Sequence, residues 1–588
     1  MRQRTFYRYA LFGLLLAVLA VFLIWPIVLT LRGGFVDAQG NFTLRYLFGE
    51  GVGVLREPGY LVGLRNSLMI GLVTTLLCLV IAMPLSVLGA RYSFRGKTLM
   101  TSLILVPMIL PPFVGAIGMR AMLGRFGAIN TLLMRLGVLD PEGPGIDFLG
   151  GSIGGRELKF FSIVIMEALH LYPIVYLNVT AALANLDPAL EEAARGLGAG
   201  RWRRFTRVTL PLILPGVFAG ATICFIWSFT ELGTPLMFEY YQVTPVQIYW
   251  GVQEIHGSPQ PYALTVVMLV LAVGMYLLGR LALGGRGYAM SAKASTASGE
   301  QRLRGVRGWG ALALFGAIFA VAVLPHIGVI VNSFTAPGTW YRSILPTQWT
   351  EHYSTALSHP LAMDSIANSL FLATAATGLC LIVGVAISYL VVRAKVRFGW
   401  VLDSLAMLPL AVPGLVMAFG YVAMSLAWPL GPETLTRDGL LQVVGSDPSP
   451  FTLLIIAYAI RRLPYIVRAA SAGLTQTSGE LEEAAYNLGA TTAMTLRRIV
   501  VPLIMANLIA GAMLAFSFAM LEVSDSLILA QKEQHYPITK AIFDLFGRLG
   551  DGPYIASAMG VWGMALLTTT LVTASLLMGR RLGAIFRV

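Results

Sequence analysis

The segment LEEAARGLGAGRWRRFTRVTLPLILPG at residues 190–216 is charged and interrupted by glycine, yet it lies between two apolar runs. A second copy, LEEAAYNLGATTAMTLRRIVVPLIMAN, occupies residues 481–507 and also lies between apolar runs. Each copy begins as an amphipathic helix, reaches a glycine, and continues into an apolar stretch headed by a proline. Two such segments indicate an internal duplication in which each half of the chain carries one copy.

The composition around these segments is that of an integral membrane protein. Of the 588 residues, 56% are hydrophobic and only 12% are charged, which is far from the usage of a soluble globular chain. Strand-period alternation is missing, so the spans must be helices and the fold class is an all-α polytopic bundle. The first apolar run exceeds a signal-peptide core and lacks a small-residue cleavage site, so it is expected to be retained. About twelve stretches are long enough to span, near residues 9–31, 65–90, 98–122, 160–184, 208–237, 261–283, 309–333, 367–392, 400–427, 449–475, 500–530 and 554–579.

The duplication extends beyond the charged segments. RNSLMIGLVTTLLCLVIAMPLSVLGARYSFRG at 65–96 recurs as ANSLFLATAATGLCLIVGVAISYLVVRAKVRFG at 367–399. Both copies run in the same direction, which predicts two parallel six-helix repeats, residues 1–283 and 309–588. The small, polar and basic residues 284–308 are expected to form a cytoplasmic linker between them.

Positive charge sets the predicted orientation. Lys and Arg recur in alternate loops, starting at the N-terminus, so both termini are predicted to lie in the cytoplasm. The net charge of +13 is explained by this topology signal and by anionic lipid, without nucleic acid as a partner.

The two charged segments are predicted to be short helices on the cytoplasmic side, near 187–200 and 478–491. Asp187 is expected to cap the first helix, with Pro188 at its first position, whereas the second copy has Ser and Gly at 478 and 479. Gly198 and Gly489 are expected to end the helices where the chain turns. Each segment would then present a rigid projection to a cytoplasmic partner.

The segments follow the pattern Glu-Ala-Ala, three residues, Gly, nine residues, Ile, one residue, Leu-Pro, with Val208 replacing Ile in the first copy and Val501 replacing Leu in the second. This pattern resembles the EAA motif of permease subunits of binding-protein-dependent ABC importers. The resemblance implies a type I importer permease whose coupling helices dock on two copies of a cytoplasmic ABC ATPase, and which receives cargo from an extracytoplasmic solute-binding protein at a prokaryotic inner membrane. It assigns ATPase coupling to Glu192, Ala193, Ala194, Gly198, Glu483, Ala484, Ala485 and Gly489.

The fused layout, the Asn-Ser-Leu helices and the LPPFVGA stretch resemble the ferric-iron group of these permeases, whose relatives move thiamine, polyamines or 2-aminoethylphosphonate. The chain itself is not expected to be an enzyme, because RGKT at 95–98 lacks the first glycine of a phosphate-binding loop and has Arg91 there. ATP would be bound by the partner subunits, and no cofactor is expected in this chain. A secondary transporter driven by an ion gradient is the alternative, but it would need no coupling helices.

Ionisable residues inside apolar segments are candidates for the translocation pathway, since each costs about 2.5–3.5 kcal/mol at the bilayer centre. The candidates are Glu231, Glu522, Asp525, Glu167, His170 and Arg461. Glu231 and Glu522 occupy matching positions, and paired carboxylates would suit a cationic or ferric cargo. Alternatively, they mark helix ends or form a gate. The arginines at 461, 462 and 468 would attract an anionic cargo or pair with Glu231 or Glu522. No metal site is assigned.

Two further expectations concern the outer loops and the cysteines. The loops around 32–64, 239–260 and 531–553 are expected to receive the solute-binding protein. Cys78, Cys224 and Cys380 have no partner at metal-ligand spacing and are expected to be small buried hydrophobic residues.

Overall fold

A computed structural model describes the chain with short gaps, and it is helical throughout most of its length. Within the described part, seven helices are long and apolar enough to cross a membrane, or up to ten if each of three bent helix pairs is one span. Every one of the predicted spans contains a helix. The described residues are 2–37, 39–153, 156–184, 186–252, 259–283, 301–337, 339, 350–426 and 449–578.

The helices of the first half follow one another in a regular order of long spans and short connecting helices. They are α1 Arg2–Leu19, α2 Trp25–Phe35, α3 Arg45–Phe48, α4 Pro58–Arg91, α5 Lys97–Leu103, α6 Pro112–Leu123, α7 Ala128–Arg135, α8 Leu158–Ala184, α9 Pro188–Gly196, α10 Arg201–Arg204, α11 Leu210–Phe229, α12 Gly233–Met237, α13 Thr244–Gly251 and α14 Gln260–Leu283.

The second half repeats this order. Its helices are α15 Val306–Ser333, α16 His352–Ser358, α17 Pro360–Ser388, α18 Gly399–Met407, α19 Gly414–Leu426, α20 Phe451–Gln476, α21 Glu480–Asn487, α22 Thr492–Thr495, α23 Val501–Leu503, α24 Met505–Met520, α25 Ser524–Leu529, α26 Ile538–Gly547 and α27 Gly552–Met578. Short strands are β1 Tyr92–Ser93, β2 Ser152–Ile153, β3 Arg156–Glu157 and β4 Gln301–Arg302, of which β1 pairs with β4 in parallel and β2 with β3 antiparallel.

Three of the predicted spans are bent. The helices near 98–122 and 400–427 turn by 94° and 104°, and the helix near 500–530 turns by 80°. Pro111 and Pro413 stand at the first two breaks, just before α6 and α19. Proline has no backbone N–H and clashes with the preceding turn, so an apolar run of spanning length does not remain one straight helix there.

Two compact units divide the chain in a way that the sequence repeat does not show. The first unit comprises Met1–Val62, Thr244–Leu269 and Thr350–Ile585, and the second comprises Gly63–Val243 and Val270–Trp349, with the last three residues. The units therefore differ from the predicted halves 1–283 and 309–588. Of the predicted linker, residues 284–300 lie outside the described residues, and 301–302 form β4.

The difference arises because the first helix of each half packs with the other half. In the first unit α2 lies against α19, and in the second unit α15 lies against α6. A Cβ on Gly420 would stand 2.7 Å from the Pro26 carbonyl oxygen, and one on Gly118 would collide with the Pro325 carbonyl oxygen. Glycine at these two crossings lets the helix backbones approach closely, as small residues do in membrane helix pairs.

Candidate functional sites: coupling segments and buried charges

The first coupling segment folds as its sequence predicts. The Asp187 carboxylate accepts a hydrogen bond of 2.9 Å from the Ala189 amide and caps α9. The helix ends before Gly198, which adopts φ +77°, in the left-handed region that favours glycine. The chain then enters α10 and a π-helical turn, Phe205–Thr209, which leads into α11.

The second coupling segment has the same build with different caps. Gly489 adopts φ +84° at the end of α21, and the Thr491 hydroxyl accepts from the Met494 amide at 3.3 Å to cap α22. A π-helical turn, Leu496–Val500, again leads towards the span. Because the turns occur at matching positions, both connections to the fifth span deviate from α-helix at the same point.

The two glutamates of each Glu-Glu-Ala-Ala motif have different surroundings. Glu192 and Glu483, the residues that the resemblance assigns to the ATPase, are exposed. Leu197 and Leu488 lie at the tips of the two segments and are each 89% exposed. Of the predicted coupling residues, Glu192 and Glu483 thus lie on an accessible surface beside an apolar side chain, whereas Ala485 is buried.

The preceding glutamates bind arginines at the ends of the Asn-Ser-Leu helices. Arg91 pairs with Glu191 and donates to the Thr209 hydroxyl at 2.9 Å, and Thr209 itself donates to Glu191. We call Arg91, Glu191 and Thr209 the first clasp.

Its counterpart in the second half, which we call the second clasp, consists of Arg393, Glu482 and Thr477. The Arg393 Nε lies 2.9 Å from Glu482, and its Nη2 donates to the Thr477 carbonyl oxygen at 2.6 Å. Burial raises the pKa of the Glu482 carboxyl, while Arg393 acts in the opposite direction. Sequence reasoning missed both clasps, although Arg91 and Arg393 occupy matching positions in the duplicated helices.

A buried ion-pair cluster lies in the second half. The Arg461 Nη1 stands 2.5 Å from Glu522 and 3.3 Å from Asp525. Arg462 pairs with Glu522 and donates to the Phe518 carbonyl oxygen at 3.0 Å. Glu522 and Asp525 are 4% and 0% exposed. Of the alternatives left open by the sequence, the structure therefore has the arginines at 461 and 462 paired with Glu522, whereas Arg468 is exposed.

Local sequence makes room for this cluster. A Cβ on Gly414 would collide with the Arg461 guanidinium, so glycine at the start of α19 admits the side chain. One Asp525 oxygen is bonded, but its other oxygen, Oδ1, is buried without a hydrogen bond. Tyr458 and Ser526 share a hydrogen bond of 2.6 Å beside it.

The corresponding residues of the first half form a different arrangement. Glu167 is 1% exposed, lies beside Glu231 and Ser228, and has no hydrogen bond to either carboxylate oxygen. Glu231 accepts from the Gly233 amide at 3.2 Å and the Thr234 amide at 3.3 Å, and so caps α12. The His170 Nδ1 lies 3.0 Å from the Pro107 carbonyl oxygen. His170 occupies the position that Arg461 occupies in the second half.

The loops that are predicted to receive the solute-binding protein contain a pocket and a buried lysine, both within the first unit. The pocket has a volume of about 330 Å³ and is lined by Gly51, Val52, Glu57, Gly59, Tyr60, Gln247 and Gln260. Residues 253–258 of the predicted docking loop 239–260 lie outside the described residues. The Lys540 ammonium bonds to the Tyr249 hydroxyl at 2.9 Å and lies 5.2–5.6 Å from three aromatic rings. Burial lowers the Lys540 pKa to about 8.

The three cysteines lie apart from any candidate metal site among the described residues. Cys78, Cys224 and Cys380 are free and buried, which confirms that they are small buried residues. Among the described residues, no group of three or more His, Cys, Asp or Glu side chains is placed to hold a metal ion.

Comparison with known proteins identifies two matching regions. A family described as "Binding-protein-dependent transport system inner membrane component" matches residues 82–283 and again 381–581. The ferric transport system permease protein FbpB of Actinobacillus pleuropneumoniae is 27% identical over 576 residues, which cover 93% of this chain and 75% of the relative.

Two further relatives differ in how much of the chain they match. A Haemophilus influenzae protein whose name also gives ferric transport is 28% identical, over 79% of this chain and 70% of its own. The molybdenum transport system permease protein ModB of Haemophilus influenzae is 31% identical, over 36% of this chain and 88% of its own. The molybdenum relative therefore matches less than the length of one half of the duplication.

Proposed function

This chain belongs to the family of inner-membrane components of binding-protein-dependent transport systems, and on that premise we propose that it is the fused permease of a type I ABC importer for ferric iron. The duplicated coupling segments carry the proposal, because they expose Glu192 and Glu483 at matching positions of two halves. The cargo assignment is supported by the relatives that match most of the chain, which are named for ferric transport.

Each coupling segment would dock on one of two copies of a cytoplasmic ABC ATPase, which bind the ATP. An exposed leucine, Leu197 or Leu488, would enter an apolar recess of the ATPase while the neighbouring glutamate binds a cation at its rim. Both termini and the linker would then lie in the cytoplasm, on the same side as the ATPases.

On the opposite side, a solute-binding protein would dock on the loops around 32–64, 239–260 and 531–553. Ferric ion prefers oxygen ligands, so the carboxylates Glu167 and Glu231 of the first half are the best candidates to attract it as it passes. In the second half, Glu522 and Asp525 are already bound by Arg461, and we assign that cluster to gating.

The test reconstitutes the chain in proteoliposomes with its cognate ATPase and binding protein. Ferric ion, molybdate, thiamine, a polyamine and 2-aminoethylphosphonate are offered in turn, and ATP hydrolysis and import are both measured. We expect ferric ion alone to stimulate hydrolysis, and Glu192→Ala with Glu483→Ala to abolish that stimulation. Glu480→Ala is the matched control, because Glu480 is also exposed on α21 but lies outside the motif.

The other outcomes separate the alternatives. Stimulation by a different cargo would keep the importer and replace the substrate. Import that runs on an ion gradient, needs no ATPase and ignores both glutamate substitutions would contradict the importer and favour a secondary transporter.

A further inference from the structure

We propose that the two clasps fix the orientation of the coupling helices, and that Arg91, Glu191, Arg393 and Glu482 are positioning residues required to convert ATPase movement into span movement. This inference rests on the proposed function, since it concerns how the same coupling segments act.

The chain alone holds a coupling helix at its two ends. The helix α9 is connected to α8 on one side and, through Gly198, to α10 and the π-helical turn on the other. A short rigid body held at two points can still rotate about the line that joins them. A third attachment away from that line removes the rotation, and the clasp supplies it from the end of α4, about 100 residues earlier in the chain.

Apolar packing does little to replace this attachment. No described side chain of α9 is fully buried, and α21 buries only Glu482 and Ala485. The clasp residues are better protected, since the side chains of Arg91 and Glu191 are 29% and 20% exposed and those of Arg393 and Glu482 are 17% and 8% exposed. A charge-assisted hydrogen bond such as that between Arg91 and Glu191 is about twice as strong as a neutral one, and Arg393 forms an ion pair with Glu482 at 2.9 Å.

The two clasps share only the arginine–glutamate pair. The third member is Thr209 of the π-helical turn in the first half and Thr477 at the end of α20 in the second. The arginine–glutamate ion pair occurs in both halves, whereas the contact of the arginine with a threonine differs. The positioning role is therefore assigned to the ion pair.

The inference also explains the tandem glutamates of the motif. Successive residues on an α-helix point about 100° apart, so they face different surroundings. The first glutamate of each pair turns towards the spans and binds the arginine, whereas the second, Glu192 or Glu483, turns outwards. A single turn of the coupling helix thus contacts the membrane-spanning helices on one side and would contact the ATPase on the other.

The experiment removes the clasp arginines from the full chain and measures two properties. Arg91→Met with Arg393→Met is compared with Arg95→Met and Arg397→Met, which remove the same charge from exposed positions in the same two loops. The first property is cargo-stimulated ATP hydrolysis in the reconstituted complex. The second is the mobility of a spin label on Leu197→Cys, measured by electron paramagnetic resonance on the chain without its ATPase. The three native cysteines are buried, so the introduced one is labelled selectively.

We expect the clasp variant to keep its ATPase bound and to retain basal hydrolysis, while stimulation falls by about tenfold and the spin label becomes more mobile. Exchanging charges, with Arg91→Glu and Glu191→Arg together and Arg393→Glu and Glu482→Arg together, should restore both properties. If the arginine-to-methionine variant does not fold, Arg91→Lys with Arg393→Lys serves instead, with a smaller change in the same direction.

An unchanged label mobility, or a loss of stimulation that the control variant shares, would overturn the inference. Failure of the proposed function gives a different result, because the unmodified complex would then show no stimulation by any cargo while the label still responded to the clasp variants.

Discussion

The two halves of this permease have similar coupling segments but different buried charges. Arg461 of the second half binds Glu522 and Asp525, whereas His170 stands at the matching position of the first half and contacts a backbone carbonyl. Glu167, which lies beside Glu231, has no hydrogen bond to its carboxylate.

The coupling segments show the opposite tendency. Both have a left-handed glycine, both expose a leucine to 89%, and both are held by an arginine from the end of the Asn-Ser-Leu helix of the same half. Two identical ATPase subunits would require two similar docking surfaces. The interior has no such requirement, because one fused chain can pair the carboxylates of one half with arginines and place a histidine at the matching position of the other.

The largest expected effect comes from removing the guanidinium of the second half. Arg461→Met leaves Glu522 and Asp525 buried with one cation fewer, and we expect the free energy of unfolding to fall by about 3–5 kcal/mol. His170→Met at the matching position loses one hydrogen bond and should cost less than about 1.5 kcal/mol. Unfolding of the purified proteins in detergent measures both. Equal losses of unfolding free energy in the two variants would contradict the contrast between Arg461 and His170.

A smaller effect is expected at the two crossings of first helices. Gly118→Ala and Gly420→Ala place a methyl group against the backbone of α15 or α2, and such overpacking costs about 1–3 kcal/mol. The cost should be larger at Gly118, where the Cβ would also stand 2.8 Å from the Val329 amide nitrogen. Gly316→Ala on α15 is the control, because a Cβ there meets no atom within 4 Å. If that control is equally destabilising, close approach is not the cause.

Substitution of the two coupling glycines, Gly198 and Gly489, should destabilise the two coupling segments equally. Gly198→Ala and Gly489→Ala meet no atom within 4 Å, so only the left-handed backbone opposes them, at about 1–2 kcal/mol each. Amide hydrogen exchange in α9 and α21 should become faster by about 5- to 30-fold. The control is Gly196→Ala inside α9, which should slow exchange because alanine favours the helix. Unequal changes in the exchange rate for the two substitutions would show that the coupling segments differ in stability, although their backbone geometry is alike.

The smallest effect on stability is expected at Glu167. Its carboxylate has no hydrogen bond to lose, so Glu167→Gln should change the free energy of unfolding by no more than about 1 kcal/mol. Glu522→Gln, which weakens two ion pairs, should be clearly destabilising in the same unfolding measurement. A large loss at Glu167 would instead reveal a stabilising partner for its carboxylate, and the contrast between the halves would disappear.

Local patterns made part of this structure predictable. The cap at Asp187 and the breaks at Gly198 and Gly489 depend on neighbouring residues, and they are where the sequence places them. The size of the bends before α6 and α19 could not be read from the sequence, although Pro111 and Pro413 interrupt these apolar runs, because an apolar run alone does not distinguish a straight span from a broken one.

Contacts between distant residues were the least predictable. Pairing of Arg461 with Glu522 was one of two alternatives, since charges inside a membrane need partners. The clasp between Arg91 and Glu191 joins positions 100 residues apart, and no periodicity links them. The packing of α2 on α19 was equally unpredictable, because an apolar helix face does not specify which other helix covers it.

The first helix of each half packs against a helix of the other half, and this has a consequence for biosynthesis. The helix α2 emerges from the ribosome early, but α19, on which it packs, is completed nearly 400 residues later. At about 5–20 residues per second, α2 waits roughly 20–80 s in the membrane for its partner. The first half therefore cannot finish folding before the third predicted span of the second half, which contains α19, has been inserted. Synthesis as one polypeptide guarantees that the partner helix arrives nearby, in equal amount and in a fixed order.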